Sequence, residues 1–341
     1  MNPAFIWSHK CREVSKAMQG EVYNQSICLV IRVAKMYYSD HMSQKEISEI
    51  LNISPPTVSR LLKRARDEKI IRFDMPDEIK ECIHLESCLE EKFDLDEIIV
   101  VPTCTLYEAS PIEVKRAVAL EGARYLERSI VPGDILGIAW GGTMYELIQY
   151  LNPCRKKNTS FITLHGSITS CNSKLEVNSL VNRIAMAYGG SKYATEAQGL
   201  LSSEEDVEKL KKTEELARLF SIYNKISISV SGIGSFYPEQ TSPLSQLSYL
   251  SEEDFNMLME YKPYADIMLR FLDKDGNECC HELSKRTLAI DLDVYRRIPK
   301  KIIVASGTHK GYSLKAVLQG KLANVLIVDY NLASKLMAIS E

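Results

Sequence analysis

Long hydrophobic runs are missing from this chain. No stretch approaches the ~18 consecutive apolar residues a membrane-spanning helix needs, so none is expected. Its nine cysteines form no CxxC pair. An odd count without a signal peptide argues against a disulfide scaffold and fits a reducing cytoplasm. Cys279-Cys280-His281 and the pair Cys82 and Cys88 have neither finger nor ribbon spacing, so no metal site is expected. Positive charge is not in excess: 42 Lys and Arg face 45 Asp and Glu, for a net charge of −3. That excludes a protein that coats nucleic acid over its whole surface and confines any such contact to one element. Internal repeats and low-complexity tracts are absent. Residues 1–24 lack both helical patterning and a sustained apolar region, and read as an N-terminal extension rather than a targeting signal.

What is present is enough for two or three domains: 341 residues, 45% of them hydrophobic. Ile27, Val30, Val33, Ala34 and Tyr37 have the spacing of an amphipathic helix. Ser43-Gln44-Lys45-Glu46 then has capping-box spacing, and Ile47, Ile50 and Leu51 give the helix behind it an apolar face. Asn52-Ile53-Ser54 breaks the pattern. Ser54 and Pro55-Pro56 start a second helix with core positions at Val58, Leu61, Leu62 and Ala65. Between Pro55 and Arg72 six cations face two anions, a local charge of +4 in an acidic chain. Two helices, a short turn and a basic second helix suit the major groove of DNA. The candidate contacts are Thr57, Ser59 and Arg60 on base edges and Lys63 and Arg64 on phosphates. Ser43, Gln44 and Ser54, at the helix starts, complete the candidate DNA-binding residues. Ile70-Ile71-Arg72-Phe73 follows as the strand of a wing would.

Beyond a helix carrying Ile79, Ile83, Leu89 and Phe93, the texture changes. Short β-branched runs alternate with helical segments: strands at 98–101, 134–140, 160–164, 225–231, 266–271, 301–305 and 324–328. Helices are expected at 112–128, 144–150, 175–188, 204–221, 310–319 and 331–338. This is an α/β fold with a mostly parallel sheet, in which ligands bind beyond the carboxyl ends of the strands. Four expected strand ends break into glycine, at Gly141-Gly142-Thr143, Gly166-Ser167, Gly232-Ile233-Gly234 and Ser306-Gly307-Thr308-His309-Lys310. Glycine turns followed by helix N-termini suit an anion, which favours a phosphorylated small ligand. Lys310 supplies a point charge. Lys174 is a candidate for the ligand or for imine formation with an aldehyde sugar, against the alternative of a surface lysine. Asp266 and Arg286 are candidates for sugar hydroxyls or phosphate, or for structural ion pairs. His165 and His309 flank glycine turns as possible donors, with no triad partner in view. GIGS at 232–235 is too short for a dinucleotide fingerprint.

SQKEISEILNISPPTVSRLLKRARDEKII, GDILGIAWGGTM, SGIGS, ADIMLRFLDKDG and IIVASGTHKGYSLKAVLQGKLANVLIVD, in this order, resemble the SorC-type sugar-binding transcriptional regulators of bacteria, from about Ile27 to Leu336. The resemblance implies a winged helix-turn-helix domain followed by a Rossmann-like α/β effector domain similar to the glucosamine-phosphate deaminase and ribose-phosphate isomerase fold. It implies an operator-DNA partner, a sugar or sugar phosphate effector, no cofactor, and a cytoplasmic homodimer or homotetramer. The expected domains are 1–24, an extension; 25–75, DNA binding; 76–94, a linker helix; and 95–341, effector binding and oligomerisation. The effector residues so implied are Gly141, Gly142, Thr143, Gly166, Ser167, Lys174, Gly232, Gly234, Asp266, Gly307, His309 and Lys310. Pro55 stands where the family usually has Arg, Gln198 where it commonly has Pro, and Ala265 where Gly precedes the Asp. His309 stands where an acidic residue is frequent. Gly142 makes the GGT turn resemble that of members that bind phosphorylated sugars. The competing class is a sugar-phosphate isomerase or deaminase with a helical appendage, which needs a positioned acid/base pair.

Overall fold

A computed structural model describes residues 26–103, 109–153, 158–168, 173–245 and 249–340. The extension expected at 1–24 lies outside them. The chain divides after Pro76 into two units.

The first unit is helical: α1 (Ile27–Tyr38), α2 (Gln44–Leu51) and α3 (Pro55–Asp67). The helix starts follow the sequence. Ser43 and Glu46 close a reciprocal capping box, and Ser54 accepts from the Thr57 amide at the start of α3. Asn52 ends α2 in the left-handed region, which Asn tolerates better than most residues. Val30, Val33, Ala34, Ile47, Val58, Leu61, Leu62 and Ala65 form the core. The wing strand expected from Ile70 does not form. Lys69 turns the chain with φ 56°, and the Ile70 and Ile71 amides fold back onto the Ala65 carbonyl. Both isoleucines pack on the helical core, and no strand exists among the described residues of this unit for them to pair with.

The second unit begins with α4 (Asp77–Phe93), and its other elements are β1 (Glu97–Val101), α5 (Pro111–Ser129), β2 (Ile135–Ile138), α6 (Gly142–Gln149), β3 (Ser160–Thr163), α7 (Val177–Tyr188), β4 (Ser191–Tyr193), α8 (Glu204–Lys211), α9 (Glu214–Tyr223), β5 (Ile228–Ser231), β6 (Gly234–Ser235), α10 (Glu252–Glu260), β7 (Ala265–Ile267), β8 (Arg270–Leu272), α11 (His281–Arg286), α12 (Leu292–Arg296), β9 (Lys300–Ala305), α13 (Gly311–Gln319), β10 (Val325–Asp329) and α14 (Tyr330–Ala338). Seven strands form one parallel sheet in the order β1-β10-β9-β5-β2-β3-β4. Side chains from α5, α6 and α7 make the core on one face. Those from α4, α8, α9, α12, α13 and α14 make it on the other. From β2 the chain runs outward to β3 and β4, then returns to β5 on the far side of β2. The switch point therefore lies between β2 and β5, where such sheets open a crevice for ligands.

Two expected elements are divided. The helix expected over 204–221 breaks at Thr213, whose hydroxyl caps a new helix by accepting from the Leu216 amide. The strand expected near 266–271 is a hairpin, β7 against β8, turned by Met268 and Leu269 at φ 51° and 65°. Both turn residues are buried, so apolar side chains occupy positions that solvent-exposed hairpins give to Gly or Asn. With β6 this hairpin makes a separate three-stranded sheet. The helix expected to be a linker, α4, packs on β1 within the second unit. Glu86 and Glu90 accept hydrogen bonds from the Val100 and Ile98 amides of that edge strand at 2.8 and 3.1 Å. No helix among the described residues is long and apolar enough to cross a membrane.

Candidate functional site

At the switch point lies a cavity of about 790 Å³, lined by the ends of β2, β5, β9 and β10, the hairpin turn, and the first turns of α5 and α6. Nine of the expected effector residues line it: Gly141, Gly142, Thr143, Gly232, Gly234, Asp266, Gly307, His309 and Lys310. Gly141 and Gly307 have φ 121° and 96°, which L side chains rarely adopt, so these two turns require glycine. Gly234 is required by a close approach. A Cβ there would fall 1.9 Å from Oδ1 of Asp266 and 2.6 Å from Oγ of Ser242.

The remaining three do not line the cavity. Gly166 sits against the backbone of Ala197 and Gln198, where a Cβ would come within 2.7 Å of a carbonyl oxygen. Ser167 bridges to Gln198 and is buried. Glycine at this strand end thus serves chain packing. Lys174 is exposed. His165 is corrected as well, since both ring nitrogens are occupied. Nε2 accepts the Trp140 amide at 3.1 Å and Nδ1 donates to the Gly166 carbonyl at 2.8 Å, so no ring atom is left for a ligand. Arg286 pairs with Asp254 at 2.5 Å, on the far side of the choice between ligand and structure.

Asp266 is buried and accepts a 2.5 Å hydrogen bond from Ser242. Burial pushes its carboxyl up to about 6, against the pull of that hydroxyl and of Lys310. At neutral pH it is mostly ionised and able to accept from a sugar hydroxyl. Lys310 is pushed down to about 8, first by burial and then by the Lys115 ammonium, with Asp266 and Asp329 opposing. The same surroundings depress His309. Asp329, at the end of β10, accepts from the Gly307 amide at 2.7 Å and caps α14 through the Leu332 amide. It holds the turn that presents His309 and Lys310. Lys115, Asp329 and Trp140 also line the cavity without having been expected. Asp329 had a readable signal, an acidic residue closing a strand before a helix. Lys115 had none, because nothing local ties it to Gly142.

Burial drives His165 down to about 4, so the ring is neutral and able to accept at neutral pH. The unfolded chain, with histidine near 6.5, binds this proton more readily. Stability should therefore rise with pH between about 4 and 6.5 and be lost on acidification through that window. Thermal unfolding of wild type and His165→Gln from pH 4 to 7 checks this. The wild type should show the steeper dependence; equal slopes would refute it.

In the first unit, Ser59, Arg60 and Lys63 are exposed on α3. Thr57 shares a 2.8 Å hydrogen bond with the Ser54 cap, and Arg64 is paired with Glu68 at 2.6 Å. Ser43 is occupied in its capping box, and Gln44 is half-buried in the first turn of α2.

Residues 77–338 match the family model described as "Putative sugar-binding domain", and residues 35–68 match region 4 of sigma-70. The chain is 30% identical over 309 residues to the deoxyribonucleoside regulator of Bacillus subtilis, covering 91% of this chain and 97% of that protein. It is 26% identical to the sorbitol operon regulator of Klebsiella pneumoniae, covering 92% and 99%. The crystal structure of the full-length sorbitol operon regulator SorC from K. pneumoniae superposes with a TM-score of 0.70 at 25% identity, covering 91% and 98%. A transcriptional regulator from Streptococcus pneumoniae gives 0.72 at 25% identity, covering 76% and 98%.

Proposed function

This chain belongs to the SorC-type sugar-binding transcriptional regulators, and from that premise we propose that a sugar or sugar phosphate in the switch-point cavity controls its grip on the operator of a carbohydrate-utilisation operon. The observation that carries the reading is the cavity itself. It brings glycine turns, Lys310 and Asp266 together in a chain that also carries a basic helix after a short turn. The α6 N-terminus and Lys310 receive the anionic end of the effector, and Asp266 accepts from its hydroxyls. Thr57, Ser59 and Arg60 read base edges, and Lys63 and Arg64 hold phosphates.

Residues 25–75 act as the DNA-binding domain and 95–341 as the effector and oligomerisation domain, in a cytoplasmic homodimer or homotetramer. Effector binding shifts operator affinity only by its preference for one arrangement of the assembly, typically ~1–3 kcal/mol. The enzyme alternative is not favoured, because the named relatives are regulators.

The test is an operator-shift assay at fixed salt with a panel of sugars and sugar phosphates. At least one should change operator affinity by about fivefold or more. In the same assay Arg60→Ala should weaken binding by about 1–3 kcal/mol and relax base preference at one position. Unchanged affinity would remove Arg60 from the interface.

A further inference from the structure

The first turn of α3 has almost no hydrogen to donate. Pro55 and Pro56 stand at its first two positions and carry no N–H. The third amide, of Thr57, donates to the Ser54 hydroxyl at 3.3 Å, and the fourth, of Val58, to the Ser54 carbonyl at 3.1 Å. The hydroxyls of Ser54 and Thr57 are bonded to each other at 2.8 Å. Many DNA-binding helices hold a phosphate through their first amides, and here none is left for one. What the turn presents to solvent instead is carbon, in the rings of Pro55 and Pro56, both of them exposed.

That apolar patch is in line with the cations. Val58, Leu61, Leu62 and Ala65 are buried and define the inner side of α3. Pro56, Arg60 and Lys63, spaced i, i+4 and i+7, share the opposite side, and all three are exposed. Pro55 and Ser59 run beside them at the same i, i+4 interval. One face of α3 therefore passes from carbon at its start to positive charge one turn later. A proline at the first position suits any helix start, but Pro56 at the second takes no part in the cap, which Ser54 supplies. The first residues of a helix docked in the major groove meet base edges, and the apolar feature there is the C5 methyl group of thymine. Guanine, adenine and cytosine offer polar edges in that groove, which a proline ring cannot answer.

We propose that Pro55 and Pro56 make the operator half-site carry thymine at the position they face, read through its methyl group, while Arg60 supplies the polar reading one turn on. This deepens the DNA-binding reading above and rests on it.

The test uses a half-site selected from a randomised duplex pool by the full-length protein. Exchanging thymine for deoxyuridine removes the methyl group and leaves every hydrogen-bonding atom in place. For the wild type, that exchange at one or more thymines should weaken binding by about fourfold each at fixed salt. Pro55→Ser and Pro56→Ser, made singly and together at exposed first-turn positions where serine is tolerated, should lower this preference, and the double variant should bind both duplexes equally well. Arg60→Ala should bind more weakly overall and keep the fourfold preference. The wild-type comparison needs no change in the protein, so a wild type indifferent to the exchange at every thymine would overturn the proposal whatever the variants do. A double variant that keeps the wild-type preference would overturn it too, by assigning the methyl group to another side chain. Selection of no preferred sequence would instead overturn the reading of α3 as a sequence-specific DNA helix, and the proposal with it.

Discussion

Lys310→Gln is expected to abolish the effector response, with half-maximal effector concentration rising by about 100-fold, while operator binding without effector stays within twofold of wild type. The argument is electrostatic. The Lys310 ammonium shares the cavity with the Lys115 ammonium and with the Asp266 and Asp329 carboxylates, which favour its charged form. Removing its charge deletes the strongest contact available to an anion and leaves the separate DNA-binding helices untouched. A second readout separates this from simple damage. Because burial and Lys115 hold Lys310 down at about 8, below its ordinary 10.5, the unfolded chain binds that proton more tightly. The charged group therefore costs stability below about pH 8, and stability is regained as pH rises from there toward 10.5. The glutamine variant should be at least as stable as wild type at pH 7 and should lose this rise. Titrating effector into the operator complex, with thermal unfolding at pH 7 and 9, checks both. A variant that responds at wild-type concentrations would remove Lys310 from the site.

Arg270→Ala should cause the largest loss of stability, about 3–5 kcal/mol, read as a fall of roughly 10 °C in melting temperature for a unit of this size. The Arg270 side chain is only 5% exposed and donates to Glu278, Asp291, the Ser284 hydroxyl and the carbonyls of Ser284, Ala289 and Ile290. It ties the hairpin to α11 and to the segment that bridges His165 through Ala289. Its removal takes the side-chain donor from the buried Ala289 and Ile290 carbonyls at once, while Glu278 keeps the Ser284 hydroxyl and the Ser284 carbonyl keeps the Thr287 amide. Calorimetry on the purified variant checks it, and a loss below about 1 kcal/mol would show that these bonds are replaced by solvent.

Local chemistry made much of this molecule readable. Ser54 with Pro55-Pro56 and the spacing of Val58, Leu61, Leu62 and Ala65 specify α3 with no help from the rest of the chain. The β-branched runs ending in glycine located the ligand edge of the sheet for the same reason: a tight turn leaves its mark on adjacent residues. Interactions between distant segments leave no such mark. Lys115 and Gly142 are brought together only by the packing of α5 on α6. Gly166 looks like a ligand turn in sequence, yet its missing side chain makes room for the backbone at Ala197 and Gln198. The β7–β8 hairpin escaped because its turn is buried and therefore built from Met268 and Leu269, which locally read as a continuing strand. The wing was expected from a β-branched pair that had no strand to join.

The carboxylates of Glu86 and Glu90 on the Val100 and Ile98 amides bear on how the protein behaves at high concentration. An edge strand with free amides is a template for the strand of another molecule, and sheets grow into aggregates from such edges. Here those outward-facing donors of β1 are already filled by side chains of the same chain. The opposite edge, β4, is three residues long and carries Lys192. Neither border of the seven-stranded sheet offers a long, bare template, so crowding on or off DNA should not drive this unit into fibrous association.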